Sequence, residues 1–547
     1  MGRTAASEQD YVIVGGGSAG LVLAARLSED SSTQVRVLEA GGNDLSPYIR
    51  LPVGVLKIPA KHAWNYDAEP DQTRNGIVNR WGGGRVLGGG SSVNGMVWTR
   101  GNPGDYDKWA AVDGAKGWDY ASVLPFFKRI ETFEPGGDDT RGTDGPIHVN
   151  YSGVEMGLTH AFVEAAQQVG LPFNRDFNGV RQDGVSYAQM STKRGWRDST
   201  ARAYLKPARR RRNLTVDTHA IATRILVEGG RAVGVEYRKD GQLVTARARR
   251  EVILSAGAIE SPKLLMLSGI GPADHLHSLG VDVVVASEGV GANLQEHPVG
   301  SIILAVNAPT LNMELTPKGV LRHGLEFLLR GKGAVSAPPS HAFVFGKFDP
   351  SHEQADYEIT FAPFGMQLGA NPTPKQQERL LGALEPMKIA AATIGVVACH
   401  PRERGNVELR STSPADAPIL RHELLRHPED VADLIKALRQ AREILAADAF
   451  RGYVGAELAP GPDVQEDEHW LGYLRMASGR GYHQSGTCRM GSDDDSVVDT
   501  SLRLRGVEGL RVVDASVMPS LISGHTNAPV IMIAERASSL IRAGESV

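Results

Sequence analysis

Two histidines near the C-terminal end of the chain stand where they could carry out acid–base chemistry. His483 lies in the segment 481–487 (GYHQSGT), and His525 lies in the segment 523–529 (SGHTNAP). Neither histidine belongs to a periodic apolar face, so neither has the pattern of a packing residue. A loop imidazole with a pKa of about 6.5 can accept or donate a proton near neutral pH. Both are therefore candidate catalytic residues.

The residues that follow His525 predict a place where negative charge could be stabilised. Thr526 and Asn527 come directly before an apolar helix that Pro529 helps to begin. The N-terminal end of a helix is positive and carries free N–H groups, which can stabilise an anion that forms beside it. A proton acceptor and an anion-stabilising helix end are thus predicted close together.

A glycine-rich turn near the N-terminus predicts a dinucleotide site. A buried strand over Tyr11 to Val14 runs into Gly15-x-Gly17-x-x-Gly20, and an apolar-periodic segment follows. The first glycine permits a tight turn, the second lets the backbone approach a pyrophosphate, and the third lets the helix pack closely on the strand. The helix then directs its unpaired N–H groups toward the phosphates.

The next predicted strand, Val35 to Leu38, ends at an acidic residue, Glu39. A carboxylate near this offset, roughly 20 residues after the glycines, binds the ribose of an adenine dinucleotide. It would also repel a 2′-phosphate, which argues against NADP.

A second glycine cluster, residues 84–94 (GRVLGGGSSVN), is too rich in glycine for the interior of a strand or a helix. Backbone without Cβ atoms can lie flat against a planar ring system or a phosphate. We therefore expect this segment to contact the same ligand as the first glycine turn.

The composition excludes several classes of protein. The chain has 547 residues, a formal net charge of −4 and two cysteines. This charge gives no support for a nucleic-acid partner, and two cysteines cannot form a disulfide framework and fit a reducing compartment. No segment has the pattern of a signal peptide or of a transmembrane helix. We predict a cytoplasmic protein, with peripheral contact to a membrane left open.

Other titratable residues do not indicate a site. Cys399-His400 and the run Asp493 to Asp495 lack the further ligands that zinc or calcium requires, so we predict no metal. Three other histidines have the pattern of isolated surface residues: His341, His422 and His427.

The pattern of elements changes twice along the chain. Residues 249–271 predict a strand, a turn and a helix capped by Ser261. Between about 301 and 474, alternating apolar segments predict an antiparallel sheet, with an amphipathic helix over Pro428 to Ala446. A strand from Leu510 to Ala515 and a last apolar helix then return to the character of the first block. The nucleotide domain must therefore be assembled from discontinuous segments.

These segments, in this order, resemble the glucose–methanol–choline (GMC) family of FAD-dependent oxidoreductases over essentially the whole chain. The blocks that carry the resemblance are Gly15 to Gly20 with Glu39, Gly84 to Asn94 continuing to Trp109, Gly257 to Gly271, and Asp514 to Glu535. The resemblance is greatest to choline-dehydrogenase-like proteins and to other alcohol dehydrogenases and oxidases. It implies a Rossmann-like α/β FAD-binding domain (1–155, 205–300 and 475–547) and an α+β substrate domain with an antiparallel sheet and helices (156–204 and 301–474).

The resemblance also implies the residues of the site. Those implied to bind FAD are Gly15, Gly17, Ser18, Ala19, Gly20, Glu39, Ala40, Arg85, Gly89, Gly90, Ser92, Asn94, Gly95, Met96, Val97, Ala222, Asp514, Ala515, Thr526 and Asn527. Some relatives attach FAD through a histidine in the second glycine loop. Val93 takes that place here, so we expect non-covalent FAD. His483 matches the family's catalytic histidine, His525 matches its partner position, and Tyr482 would contact the substrate.

The activity implied is oxidation of a primary alcohol to an aldehyde, with His483 as the base and flavin N5 as the hydride acceptor. The expected electron acceptor is a quinone-like molecule or oxygen, with a dehydrogenase favoured over an oxidase. A neutral aliphatic or benzylic alcohol is the first choice of substrate, because choline requires an aromatic cage and a carboxylate. Tyr482 and Glu314 could supply these groups. An oligomer is compatible with the sequence.

Three other interpretations stay open from the sequence. A lyase of the hydroxynitrile lyase type would bind FAD without oxidising or reducing its substrate. A non-catalytic flavoprotein is disfavoured because both site histidines are present. An NAD enzyme is disfavoured because the return of the C-terminal segment to the nucleotide domain suits a permanently held cofactor.

Overall fold

The first sheet is built around the strand Glu8–Val14, which is buried from residue 9 onward. The second half of this strand, Tyr11 to Val14, is a continuous apolar run, which is typical of a parallel strand covered on both faces. The strands of this sheet, in order, are Leu214–Asp217, Val35–Leu38, Glu8–Val14, Gln242–Leu254, Arg231–Lys239 and Ile221–Glu228, and Leu510–Val512 pairs in parallel with Gln242–Leu254. The strand Leu510–Val512 lies near the C-terminal end of the sequence. The sheet is therefore assembled from discontinuous segments, as the sequence predicts.

The helix Ser18–Leu27 follows the first strand and packs against the final helix, Asn527–Gly544. Gly20 is required where this helix meets the turn, because a Cβ atom on it would lie 1.9 Å from the carbonyl oxygen of Gly15. Gly15 itself has a φ of +101°, which a residue with a side chain rarely adopts. The first and last helices of the described residues therefore meet beside the glycine turn.

A second sheet of seven strands has its own apolar core. Its strands, in order, are Val454–Ala459, Pro298–Val306, Ala391–Ala398, Tyr357–Ala362, Ala342–Gly346 and Gly184–Tyr187, and Gly479–Arg480 pairs with Pro298–Val306. These pairings are antiparallel. The computed structural model thus has the mixed α/β and α+β class that the sequence predicts, in the described residues 8–151, 154–314, 316–368 and 384–544.

Side-chain alternation in the strand Tyr357–Ala362 gives the second sheet two different faces. Tyr357, Ile359 and Phe361 belong to the apolar core, which the helices Gly157–Gln168 and Pro428–Ala446 cover. Glu358 and Thr360 point to the opposite face, since successive side chains of a strand alternate. A buried carboxylate is therefore directed away from the core and toward the first sheet's side of the molecule.

The remaining elements are shorter or lie at the edges of the two sheets. The other helices of nine or more residues are Pro103–Ala111, Tyr120–Ile130, Gly257–Leu267, Pro317–Arg330 and Asp467–Ala477. The smaller sheets contain Glu131–Phe133, Ile147–Tyr151, Gln189–Lys193 and Trp196–Arg197, and the pairs Ala63–Asp67 with Arg80–Gly84, Ile270–Gly271 with Val285–Ala286, Met366–Leu368 with Leu384–Pro386, and Asn406–Glu408 with Ile419–Arg421. None of the described helices has the length and apolarity needed to cross a membrane.

The structure corrects the predicted start of one helix and confirms the predicted bounds of another. The helix predicted to be capped by Ser261 begins at Gly257, so Ser261 lies inside its second turn. Asp514 takes the capping role, since its carboxylate accepts hydrogen bonds from the N–H of Gly257 (2.8 Å) and from Oγ of Ser261 (2.6 Å). The amphipathic helix Pro428–Ala446 has the predicted bounds.

Candidate active site

Most of the residues predicted to contact the cofactor or the substrate meet in one cavity of about 420 Å³. Those that line it are Gly17, Ser18, Ala19, Gly89, Gly90, Asn94, Gly95, Met96, Val97, Tyr482, His483, Asp514, Ala515, His525, Thr526 and Asn527. The N-terminal ends of two helices, Ser18–Leu27 and Asn527–Gly544, open onto this cavity. Both ends present N–H groups without helical partners, which suits a ligand with negative groups.

The other predicted residues lie outside the cavity wall: Gly15, Gly20, Glu39, Ala40, Arg85, Ser92 and Ala222. Several of them hold the wall in place. Oγ of Ser92 donates a hydrogen bond to the carbonyl oxygen of Leu87 (2.7 Å) inside the second glycine loop. The guanidinium of Arg85 stacks on the ring of Trp64 at 4.6 Å.

Glu39 is buried at the end of its strand and bonds to the glycine turn. Its carboxylate accepts hydrogen bonds from the N–H groups of Gly16 (2.8 Å) and Gly41 (2.7 Å). Burial raises the pKa of Glu39, and these two backbone donors only partly oppose the effect. The carboxylate therefore organises the turn, and its predicted contact with a ribose stays a prediction.

The two glycine loops touch each other and form a wall of bare backbone. A Cβ atom on Gly89 would lie 2.7 Å from the Cα of Gly17, and one on Gly84 would lie 2.2 Å from the backbone of Gly89. Side chains are thus excluded between the loops. A wall of this kind, with two helix ends beside it, fits the pyrophosphate and planar ring of FAD.

A buried arginine fixes the end of the second glycine loop. Arg197 donates a hydrogen bond to Oδ1 of Asn94 (2.7 Å), which also accepts the N–H of Met96 (3.1 Å). Desolvation lowers the pKa of Arg197 to about 9. Asn94 is therefore held in one orientation at the cavity, and Met96 keeps a φ of +64°.

The two candidate catalytic histidines line the cavity and are the middle members of a chain of four hydrogen-bonded side chains. Nε2 of His483 lies 3.1 Å from Nδ1 of His525, and Nε2 of His525 lies 3.2 Å from Oε1 of Glu358. On the other side, Nδ1 of His483 lies 2.8 Å from Nδ1 of His297, whose Nε2 lies 2.9 Å from the carbonyl oxygen of Cys399. We call these four side chains the histidine chain, and we call His297 its inner end and Glu358 its outer end.

The partners assign the hydrogens along the first half of the histidine chain. A carbonyl oxygen can only accept, so Nε2 of His297 carries a hydrogen. Burial lowers the pKa of His297 to about 4, so its ring is neutral and its Nδ1 accepts from Nδ1–H of His483. Burial and the neighbouring histidines also hold the pKa of His483 well below its usual range. Nε2 of His483 therefore carries a lone pair.

The second half of the chain follows in the same way. The lone pair on His483 requires Nδ1 of His525 to carry a hydrogen. Burial opposes ionisation of Glu358, but the ion pair with His525 and a hydrogen bond from Thr360 (2.9 Å) outweigh it, and the pKa of Glu358 is lowered. An ionised carboxylate only accepts, and it faces Nε2 of His525 at 3.2 Å. The chain therefore places a neutral base, His483, beside an N–H donor on His525, whose ring lies against an ionised carboxylate.

Hydrogen bonds to the buried carboxylate of Glu296 hold the backbone of the His483 loop. One carboxylate oxygen accepts the N–H groups of His483 (2.7 Å) and His297 (3.0 Å), and the other accepts from Arg480 (3.3 Å). Burial raises the pKa of Glu296 to about 7, although Arg480 opposes the rise. A Cβ atom on Gly481 would lie 2.6 Å from Nδ1 of His483, so the loop tolerates only glycine there without moving the imidazole.

The His525 loop is held by a second buried acid. Asp105 accepts hydrogen bonds from the N–H (2.7 Å) and the Oγ (3.1 Å) of Ser523. Gly524 has a φ of +120°, and a Cβ atom on it would lie 2.9 Å from the side chain of Thr99. Both imidazoles are thus carried on loops whose backbone has little freedom.

Three residues that build this site, Glu296, His297 and Glu358, were not predicted from the sequence. Each is buried, and each belongs to or precedes a strand of the second sheet. The available signal was a charged residue at position 358 within a mainly apolar strand. The prediction that His341 and His422 are surface residues is wrong, because both are buried.

Comparison with known proteins decides the family. The sequence matches the GMC oxidoreductase family, with its N-terminal model over residues 9–299 and its C-terminal model over residues 401–534. The chain belongs to the GMC oxidoreductase family. The resemblance found in the sequence is thereby confirmed.

This GMC oxidoreductase has relatives that it matches over nearly their whole length. It is 41% identical over 545 residues to oxygen-dependent choline dehydrogenase of Sinorhizobium fredii, covering 98% of this chain and 95% of the relative. Human mitochondrial choline dehydrogenase is 41% identical over 555 residues, covering 99% and 91%. The crystal structure of pyridoxine 4-oxidase from Mesorbium loti has a TM-score of 0.86 at 30% identity, covering 97% and 98%. The protein is an FAD-dependent oxidoreductase that acts on CH–OH groups.

Proposed function

We propose that this GMC oxidoreductase oxidises a primary alcohol to an aldehyde, with His483 as the proton acceptor. The support is the histidine chain: the lone pair on Nε2 of His483 and the hydrogen on Nδ1 of His525 lie 3.1 Å apart on the cavity wall. One hydroxyl group placed there can donate its proton to His483 while it accepts a hydrogen bond from His525. Geometry of this kind is what a general base requires.

Bound FAD would supply N5 of its flavin ring as the hydride acceptor, held by the two glycine loops and the helix ends. The hydroxyl proton moves to Nε2 of His483, whose lowered pKa keeps it in the basic form at neutral pH. The oxygen becomes negative beside the Nδ1–H group of His525, which stabilises it by a hydrogen bond. Loss of hydride from the carbon then gives the aldehyde, so that one proton and one hydride leave the alcohol.

The cavity lining favours a neutral alcohol over choline. Two carboxylates line the described cavity, Glu260 and Asp514, and both have partners inside the protein. Glu260 accepts a hydrogen bond from Tyr66 and lies 3.6 Å from Lys263, and Asp514 caps a helix. Glu314, considered above for choline, instead pairs with Arg322 outside the cavity.

Choline is the second candidate, because the relatives described above are named choline dehydrogenases. The decisive experiment is anaerobic addition of straight-chain alcohols, benzyl alcohol and choline to the purified yellow protein. We expect the flavin absorbance to bleach with a neutral primary alcohol. Bleaching fastest with choline would reverse the order of substrates but leave alcohol oxidation intact. No bleaching with any alcohol would contradict the proposal and favour the lyase interpretation, which no comparison supports.

We further propose that the electrons pass to a quinone-like acceptor in preference to oxygen. The test is the rate at which alcohol-reduced protein regains its yellow colour after addition of oxygen or of a soluble quinone. Faster recovery with the quinone is expected, and hydrogen peroxide formed at the rate of alcohol oxidation would identify an oxidase instead.

We expect FAD to be bound without a covalent link. Val93, in the short helix Gly90–Val93 of the second glycine loop, lacks a nucleophile that could attach to the flavin. Denaturation with acid or heat should therefore release the yellow cofactor into the supernatant, where its mass would identify unmodified FAD. Colour that stays in the protein pellet would show a covalent link through another residue.

A further inference from the structure

The helix Pro317–Arg330 has its apolar face turned outward. Its buried residues are Gly319 and Phe327 alone. The large apolar residues on it that are exposed against the described structure, by 52% to 81%, are Val320, Leu321, Leu325, Leu328 and Leu329. Leu321, Leu325 and Leu328 follow one another at helical spacing and form a continuous stripe. An apolar stripe of this size on an exposed helix indicates an interaction surface.

The helix is firmly attached to the protein, so the exposed stripe is not the result of a frayed element. Thr316 caps its N-terminus by accepting the N–H of Gly319 (3.1 Å), and Gly331 ends it in the left-handed conformation. On its inner face, the ring of Phe327 packs against Trp196 at 4.9 Å. His323 lies 3.2 Å from Glu314, which adds a polar attachment.

The charges around the stripe are mainly positive. Four exposed cations flank it, Lys318, Arg322, Arg330 and Lys332. The nearby carboxylates, Glu314 and Glu326, both lie within ion-pair distance of His323, and Glu314 also pairs with Arg322 at 2.6 Å, which leaves an excess of positive charge around the stripe. The chain as a whole carries a net charge of −4, so this basic rim departs from the rest of the molecule. Leucines rimmed by lysine and arginine match the surface of an anionic bilayer.

The position of the helix relates this surface to the cavity. The helix leads through the short helix Ala334–Ser336 to Pro339 and Ser340, which line the cavity. Ala334–Ser336 also contacts the segment Pro52–Lys57, which contributes Val55 to the same lining. A surface on which this helix lies would therefore be close to the cavity rim.

We propose that the helix Pro317–Arg330 docks this protein on the surface of an anionic lipid bilayer. The helix has 14 residues and is about 21 Å long, less than the roughly 30 Å of a bilayer core. It therefore lies in the interface, with the leucine stripe among the acyl chains and the four cations among the headgroups. This docking is independent of the reaction proposed above.

The test is co-sedimentation of the full-length holoprotein with lipid vesicles. Vesicles of phosphatidylcholine with phosphatidylglycerol should retain the protein, and those of phosphatidylcholine alone should retain less. The double variant Leu321→Ser/Leu328→Ser should lower the partition coefficient by about 10- to 100-fold. The matched control, Leu243→Ser/Val112→Ser, removes two apolar residues elsewhere whose exposures, 57% and 73%, are close to those of Leu321 and Leu328, 66% and 77%, and it should bind like the parent.

Flavin absorbance and alcohol-dependent reduction of a soluble dye should be unchanged in both variants, which shows that they are folded. Failure of the parent protein to bind anionic vesicles would overturn the proposal. Equal binding by the leucine variant would also overturn it. A concentration-dependent dimer that the leucine variant abolishes, without vesicle binding, would assign the stripe to a second copy of the chain instead.

Discussion

Replacing His483 with alanine is expected to leave FAD bound and to slow flavin reduction by alcohol by about 10²- to 10⁴-fold. The variant loses the only lone pair that the histidine chain presents to the cavity within the described residues, whereas the glycine loops that hold the cofactor are untouched. The loss corresponds to about 3–5 kcal/mol of barrier. The measurement is anaerobic stopped-flow absorbance with saturating alcohol.

The control for this prediction is His275→Ala. His275 is a half-buried histidine whose Nε2 accepts the N–H of Leu409 (3.1 Å), and it does not line the cavity. Its substitution should leave the rate of flavin reduction unchanged. If His483→Ala reduced its flavin as fast as the parent protein, another group would have to be the base.

Replacing Glu358 with glutamine is expected to slow flavin reduction by about 10- to 100-fold. A donor that stabilises a developing oxyanion contributes roughly 10²- to 10³-fold, and Glu358 acts on the reacting oxygen only through His525. The side chain of Glu358 is 1% exposed, so its charge acts on His525 with little screening by water. An amide keeps the shape but places no negative charge beside His525.

The pH dependence separates this electrostatic role from a structural one. The pKa values of His483 and Glu358 are both lowered, so the parent protein keeps a neutral His483 and an ionised Glu358 through neutral pH and loses them as the pH falls. In Glu358→Gln, no carboxylate titrates at this position, so the part of the acid-side loss of rate that Glu358 causes should disappear and only the part from His483 should remain. Glu403→Gln, a buried carboxylate outside the cavity, is the control. An unaltered pH profile in Glu358→Gln would count against the proposed ion pair.

Local rules of backbone geometry account for what the sequence predicted. The strand, turn and helix over residues 8–27 form because Gly15 and Gly20 occupy positions that reject a Cβ atom, and such requirements are visible in a single sequence. The helix Pro428–Ala446 is likewise set by its own apolar period. The bounds of the two domains, and the contacts of the individual residues with FAD, stay predictions.

What the sequence did not reveal depends on pairing between distant segments. His297 reaches His483 because the strand Gly479–Arg480 pairs with Pro298–Val306, and Glu358 reaches His525 because its strand is central in the same sheet. The register between two strands that are far apart in the sequence cannot be inferred from the residue pattern of either strand. The helix start at Gly257 was missed for a similar reason, since Asp514, more than 250 residues away, caps it.

The inner end of the histidine chain stops at the main-chain oxygen of Cys399, a group that cannot be protonated under ordinary conditions. The outer end stops at Glu358, which is shielded from water. As far as the described residues extend, both ends of the histidine chain are thus buried, and His525, whose side chain is 27% exposed, is the member that opens onto the cavity. A proton taken from the alcohol would therefore leave on the cavity side, and the lowered pKa of His483 favours its early release there.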